Sequence, residues 1–184
     1  MTIATDLYLT RIIDNQSKVV RTAEDLVREG DWFFKRVATY TEASPFVVPQ
    51  GQTLVLPIPE NDIGEVSGGT LNFQYDYDNQ LFRPSVAGEV FAAEIKFRCK
   101  PANNAGYLDL ILEIPDYPFN PINGRTLTFN KSANEEHFFS VAFLPFVSAD
   151  FQQKGAQLKV KANGTDVSIY GYNFIFVRLH SNKG

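Results

Sequence analysis

From about Ser44 to His180 apolar and polar residues alternate with a period of two, in short runs broken by Gly, Pro and Asn. That period belongs to strands, whose successive side chains point to opposite faces. The runs predict strands over 53–58, 71–77, 89–100, 107–114, 126–130, 137–147, 157–162 and 166–179. Eight or so strands over roughly 140 residues is the extent of an antiparallel sandwich or jelly roll. Asn163-Gly164 separates the last two runs and suits a turn with positive φ, which predicts a tight hairpin there. Residues 1–44 read differently. "SKVVRTAEDLVREG" spaces Val19, Val20, Ala23, Leu26 and Val27 as one helical face, with Gly30 placed to end it. "DWFFKRVATYTEA" is ambiguous between helix and strand, its β-branched and aromatic residues tilting it toward strand. The expected organisation is therefore a helical or extended arm over 1–44 and an all-β domain over 45–184.

The faces of the runs differ. Residues 89–100 set Phe91, Ala93, Ile95, Phe97 and Cys99 against Glu94, Lys96, Arg98 and Lys100, the pattern of a strand with one face in water. Residues 137–147 are apolar on both sides, with Phe139, Val141 and Phe143 on one and Phe138, Ala142, Leu144 and Phe146 on the other. Residues 167–179 repeat this, aliphatic at odd positions and aromatic at Tyr170, Tyr172, Phe174 and Phe176. Such strands need cover on a second face, from the amino-terminal segment or from other copies of the chain. The aromatic face is the expected subunit interface, with Phe138 and Phe146 beside it. The alternative phase puts the aromatics in the core and Val167, Ile169, Ile175 and Val177 outside. Gly171 is a candidate bulge that changes phase midway.

Composition narrows the function classes. The chain has 184 residues and a formal net charge of -4, with lysines and arginines scattered, which argues against nucleic acid. Cys99 is the single cysteine, so no intrachain disulfide forms. No signal peptide and no stretch of membrane-spanning length is visible, and assembly in a cytoplasm is expected. Sixteen Phe and eight Tyr against one Trp favour strands and interfaces.

Candidate chemistry is sparse. His137 follows Glu135 and Glu136, a potential ligand trio that reads better as a solvated turn before a strand. Asp76 and Asp78 offer oxygens to a calcium ion, but the glycine and terminal glutamate of a calcium hand are missing. Asp116, Tyr117 and Asn120 offer an acid, a ring and an amide to a sugar, in a loop that Pro115, Pro118 and Pro121 stiffen. No phosphate loop, serine elbow or paired-carboxylate motif is present, and nothing argues for an enzyme or a cofactor.

The strand series from about 46 to 180, closed by "SIYGYNFIFVRLH", resembles the trimeric jelly roll of C1q and tumour necrosis factor domains and of many viral and phage virion proteins. The chain shows neither the collagen stalk nor the secretion signal of the animal members. "FNKSANEEHFFSVAFLPFVSADF" is similar to stretches of tailed-phage virion structural proteins. The resemblance implies a homotrimeric virion protein, a capsid decoration (cement) protein or a fibre knob, with capsid or tail proteins as partners. Leu26, Val27, Trp32 and Phe33 are then the expected attachment residues. A carbohydrate-binding module reading a host glycan is the alternative, and a cupin-like isomerase a third reading that the two histidines support poorly.

Overall fold

The computed structural model describes residues 32–62, 64–66, 74–118 and 121–180. Its elements in chain order are β1 (Trp32–Val37), β2 (Phe46–Val48), β3 (Thr53–Val55), β4 (Gly64–Val66), β5 (Gln74–Asp76), β6 (Leu81–Arg83), β7 (Val90–Pro101), β8 (Tyr107–Glu113), β9 (Asn123–Thr128), β10 (His137–Phe143), α1 (Ala149–Lys154), β11 (Gln157–Asn163) and β12 (Val167–His180). The helix expected within 17–30 lies outside the described residues. The ambiguous stretch after it is strand β1, and the strand expected at 126–130 starts earlier, at Asn123.

Two antiparallel sheets make a jelly-roll sandwich. One runs β10-β7-β12-β1-β4, with β2 beside the start of β12; the other runs β3-β11-β8-β9. A two-stranded ribbon, β5-β6, bridges to Ala156 through Phe82 and sets that ring against Phe176 at 4.2 Å. The core lies between the sheets because the alternation points it there. Phe91, Ala93, Ile95, Phe97 and Cys99 of β7 are buried against Leu108, Leu110 and Leu112 of β8 and Leu158, Val160 and Ala162 of β11. Each large apolar side chain so buried contributes about 1.5–3 kcal/mol.

β1 lies upstream of the boundary expected near Ser44, yet it is part of the sheet. It pairs with β12 from Trp32↔Val177 to Val37↔Tyr172, and Phe33 and Val37 are buried in the core. α1 is a further element that the strand pattern concealed. Ser148 caps it by accepting the Phe151 N–H at 3.2 Å, and Phe151 drops into the core.

The hairpin expected at Asn163-Gly164 does not form. β11 has β3 and β8 on its two edges, and β12 pairs with β1, β2 and β7, so the two strands belong to different sheets. Gly164 does take positive φ, at 78°, but the corner carries the chain from one sheet to the other. Thr165 is buried there and its Oγ1 accepts the Asn103 N–H at 2.9 Å. Gly106 packs so close that a Cβ would stand 2.3 Å from the Asn163 carbonyl oxygen.

β12 changes phase along its length. Val167 and Ile169 face the core, then Tyr172, Phe174 and Phe176 do. The register with β7 shifts between Tyr170 and Asn173, and Gly171 sits at the shift with φ 54°. One residue too many on one strand re-aims every side chain after it.

Candidate functional site

The phase change decides what β12 shows to solvent. Tyr172, Phe174 and Phe176, expected at a subunit interface, are buried within the single chain. Tyr172 reaches across the sandwich to donate its hydroxyl to the Pro57 carbonyl. The physical reason is the bulge: beyond it the even positions turn inward and Ile175 and Val177 turn outward. Tyr170, before the bulge, stays on the outward side opposite Arg98. Its hydroxyl donates to Glu136 Oε2 at 2.8 Å, and burial first and that hydrogen bond second push the phenol above its usual range.

The outward face of the six-stranded sheet is apolar toward one end. Trp32, Val177 and Ala92 stand in one cross-strand row, and Phe34 and Ile175 in the next, between Glu65 and Glu94. Leu144 and Phe146 flank them at 67% and 62% exposed, with Leu179 at 49%. Of the expected interface set, Phe146 here and Phe138 farther along the sheet remain exposed.

Toward the other end the face holds a cleft of about 720 Å³. Its walls include Phe34, Arg36, Arg98, Phe138, Tyr170 and Asn173, with Gly171 among them. Gly171 borders this opening, and a Cβ there would meet nothing within 4 Å. Phe138 stands at the cleft with 61% of its surface exposed. Arg98 Nη1 lies 3.7 Å from Glu136 Oε1, and Lys100 holds Glu42, whose carboxyl it keeps below the usual range by hydrogen bond and charge. No feature of the sequence singles out Arg36 and Arg98.

The remaining candidates scatter. His137 is not in a solvated turn; it is buried, stacked on Phe139 at 5.8 Å and edge-on to Phe129 at 5.1 Å. Burial, then Lys131, hold its imidazole below the ordinary pKa. Cys99 is a buried core residue whose thiol burial pushes up to about 12. Asp76 accepts from the Asn79 backbone and side chain and from Arg83, interactions that lower its pKa. Among the described residues no group of three or more His, Cys, Asp or Glu is placed to hold a metal ion, and no helix is long and apolar enough to cross a membrane. Asp116 has φ 54° and its carbonyl accepts from Lys154 at 3.3 Å, while Tyr117 packs half-buried on the core. Asn120, Leu26 and Val27 lie outside the described residues. Of the expected attachment residues, Phe33 is buried and Trp32 half-buried.

No protein-family description matches the chain, and no curated protein does. Solved structures do match in fold. The PRD1 vertex protein P5 is similar over 82% of this chain and 74% of its own, at 9% identity and a TM-score of 0.54. Eiger TNF from S. frugiperda is similar over 85% of this chain and 97% of its own, at 11% identity and a TM-score of 0.51. At such identities the likeness is one of fold, and the chain is an antiparallel jelly-roll sandwich.

Proposed function

We propose that the chain is a structural protein of a tailed-phage virion, a capsid decoration protein or a fibre knob, that works as a homotrimer. The observation carrying this reading is the apolar outward end of the six-stranded sheet around Trp32, Val177, Leu144 and Phe146. A sheet face left to water is expected to be polar, and a contiguous apolar patch of this kind marks a contact with protein. Neighbouring copies fit it best: β10 sits at the sheet's edge, so Leu144 and Phe146 of one copy can meet Trp32, Val177 and Leu179 of the next, the head-to-tail contact that closes a ring. Likeness to a vertex protein supports a place on the virion. The segment before Trp32, with its helical spacing at Leu26 and Val27, serves as the arm that binds a capsid or tail protein. The mechanism is mechanical, resting on apolar area removed from water at roughly 25 cal/mol per Å².

Light scattering on the purified chain tests the assembly. The unmodified protein is expected at three times the chain mass, with Val177→Asp and Leu144→Asp giving folded monomers. A stable monomer in the unmodified protein refutes the trimer. Reattachment to capsids that lack the protein tests the virion role, and loss of attachment on removing residues 1–31 tests the arm.

A further inference from the structure

The cleft at the Gly171 bulge has a chemistry that subunit association does not use. It brings two guanidinium groups, Arg36 and Arg98, to one opening with two rings, Phe34 and Phe138, and an amide, Asn173. Arg36 pairs with no carboxylate among the described residues, and Arg98 has only the 3.7 Å contact to Glu136. Glu42, which also lines the cleft, is paired with Lys100, and Glu136, outside its walls, is held by Tyr170 and Arg98. An incoming carboxylate therefore meets Arg36, unpaired among the described residues, and the loosely paired Arg98, with Glu42 already held by Lys100. At about 720 Å³ the opening falls in the range of small-molecule sites, roughly 300–1,000 Å³.

We infer that this cleft binds an acidic saccharide, a sugar carrying a carboxylate. Arg36 and Arg98 take the carboxylate, Phe138 offers its exposed ring to the apolar face of the sugar, and Asn173 and Thr41, which also lines the cleft, meet hydroxyls. The absent side chain at Gly171 leaves room for the ring. The place is distinct from the Asp116–Tyr117 loop, where the ammonium at hand, Lys154, is bonded to the Asp116 carbonyl.

Calorimetry on the full chain tests this with trigalacturonic acid and sialyllactose as probes, lactose as the neutral control and a capped acidic peptide as the rival class. At least one acidic saccharide is expected to saturate the protein, with lactose weaker by about tenfold or more. Arg36→Ala and Arg98→Ala should each cost about tenfold in affinity, with the particle mass by light scattering unchanged. Gly171→Asn keeps a residue that tolerates left-handed backbone but puts a side chain into the opening where the sugar ring would lie, and should weaken binding. If that variant fails to fold, Arg36→Ala, at an exposed position, still decides. Failure of both acidic saccharides to bind overturns the inference. So does equal affinity for lactose, binding that survives Arg36→Ala, a lost affinity accompanied by a changed mass, or binding of the peptide alone.

Discussion

Arg178 and Glu89 form an ion pair wholly inside the sandwich, with Nε 3.1 Å from Oε1 and neither side chain exposed to solvent. The guanidinium also lies 5.7 Å from the centre of the Phe91 ring. Taking both charges from water costs several kcal/mol each, which their mutual attraction must offset.

Removing one partner strands the other. Arg178→Met or Glu89→Gln alone is expected to destabilise the fold by about 3–5 kcal/mol, and the double replacement by apolar residues by less than the sum of the two. Urea unfolding of the two single variants and the double variant measures this; additive losses would show that the pair is not coupled.

Stability should fall as pH drops through the range of free histidine. His137 is held neutral in the folded chain, with its pKa lowered, while the unfolded chain binds a proton near the ordinary value of about 6.5. Its stabilising contribution is complete above that value and is lost progressively as pH falls toward the lower folded pKa. Unfolding midpoints from pH 7.5 down to about 5 should decline in the unmodified protein and decline less in His137→Phe, which keeps a ring between Phe129 and Phe139.

Tyr172 in the core and Gly164 at the corner between the sheets are each sensitive to substitution. Tyr172→Phe removes the hydroxyl bonded to Pro57 and should cost about 1 kcal/mol, whereas Tyr172→Asp should abolish folding. Gly164→Val forces a β-branched residue to φ near 78° and should cost about 1–2 kcal/mol or more, with Gly164→Asn milder. Thermal melts of these four variants check both positions.

Truncation locates the start of the sandwich. A chain beginning after residue 44 loses β1 and with it buried Phe33 and Val37, and is expected to lose its cooperative transition. A chain beginning at Trp32 keeps them and is expected to unfold cooperatively. Equal melting of the two truncated chains would show that β1 contributes nothing to the core.

Much of the fold is legible in the period-two runs, because β7, β8 and β11 bury one face and wet the other. β7 shows it in full: each of its five expected core residues is buried. The runs lose their power where neither face is polar. In β12 alternation alone leaves the phase open, and only a residue without a Cβ, Gly171, hints that both phases are used. Asn163-Gly164 announces a turn correctly but carries no information on whether the next strand returns beside its predecessor; that is decided by β3 and β8 occupying both edges of β11. α1 had its signals in "SADFQQKG", a capping Ser, an early Asp, a late Lys and a closing Gly, hidden by the strands around them. The buried charges Arg178 and Glu89 had none, since an Arg at the end of an alternating run reads as an outward residue. The cleft was equally silent, because Arg36, Arg98 and Tyr170 come together only through pairing of strands far apart in the chain.

β12 is the last strand in the described sequence, yet it occupies the middle of its sheet, between β7 and β1 and against β2. A growing chain therefore carries β1 and β2 for more than half its length, and β7 for about a third of it, before their shared partner exists. Until then two sheet edges stand open, with Phe33 and Phe97 lacking their neighbours. Closing the β1 edge requires contacts between segments separated by over a hundred residues, and the β7 edge contacts across more than sixty, which places the folding of this sandwich among slow, nonlocal reactions. In the interval those edges are surfaces on which chains of the same kind can pair wrongly with one another, and crowded synthesis is the condition that would expose it.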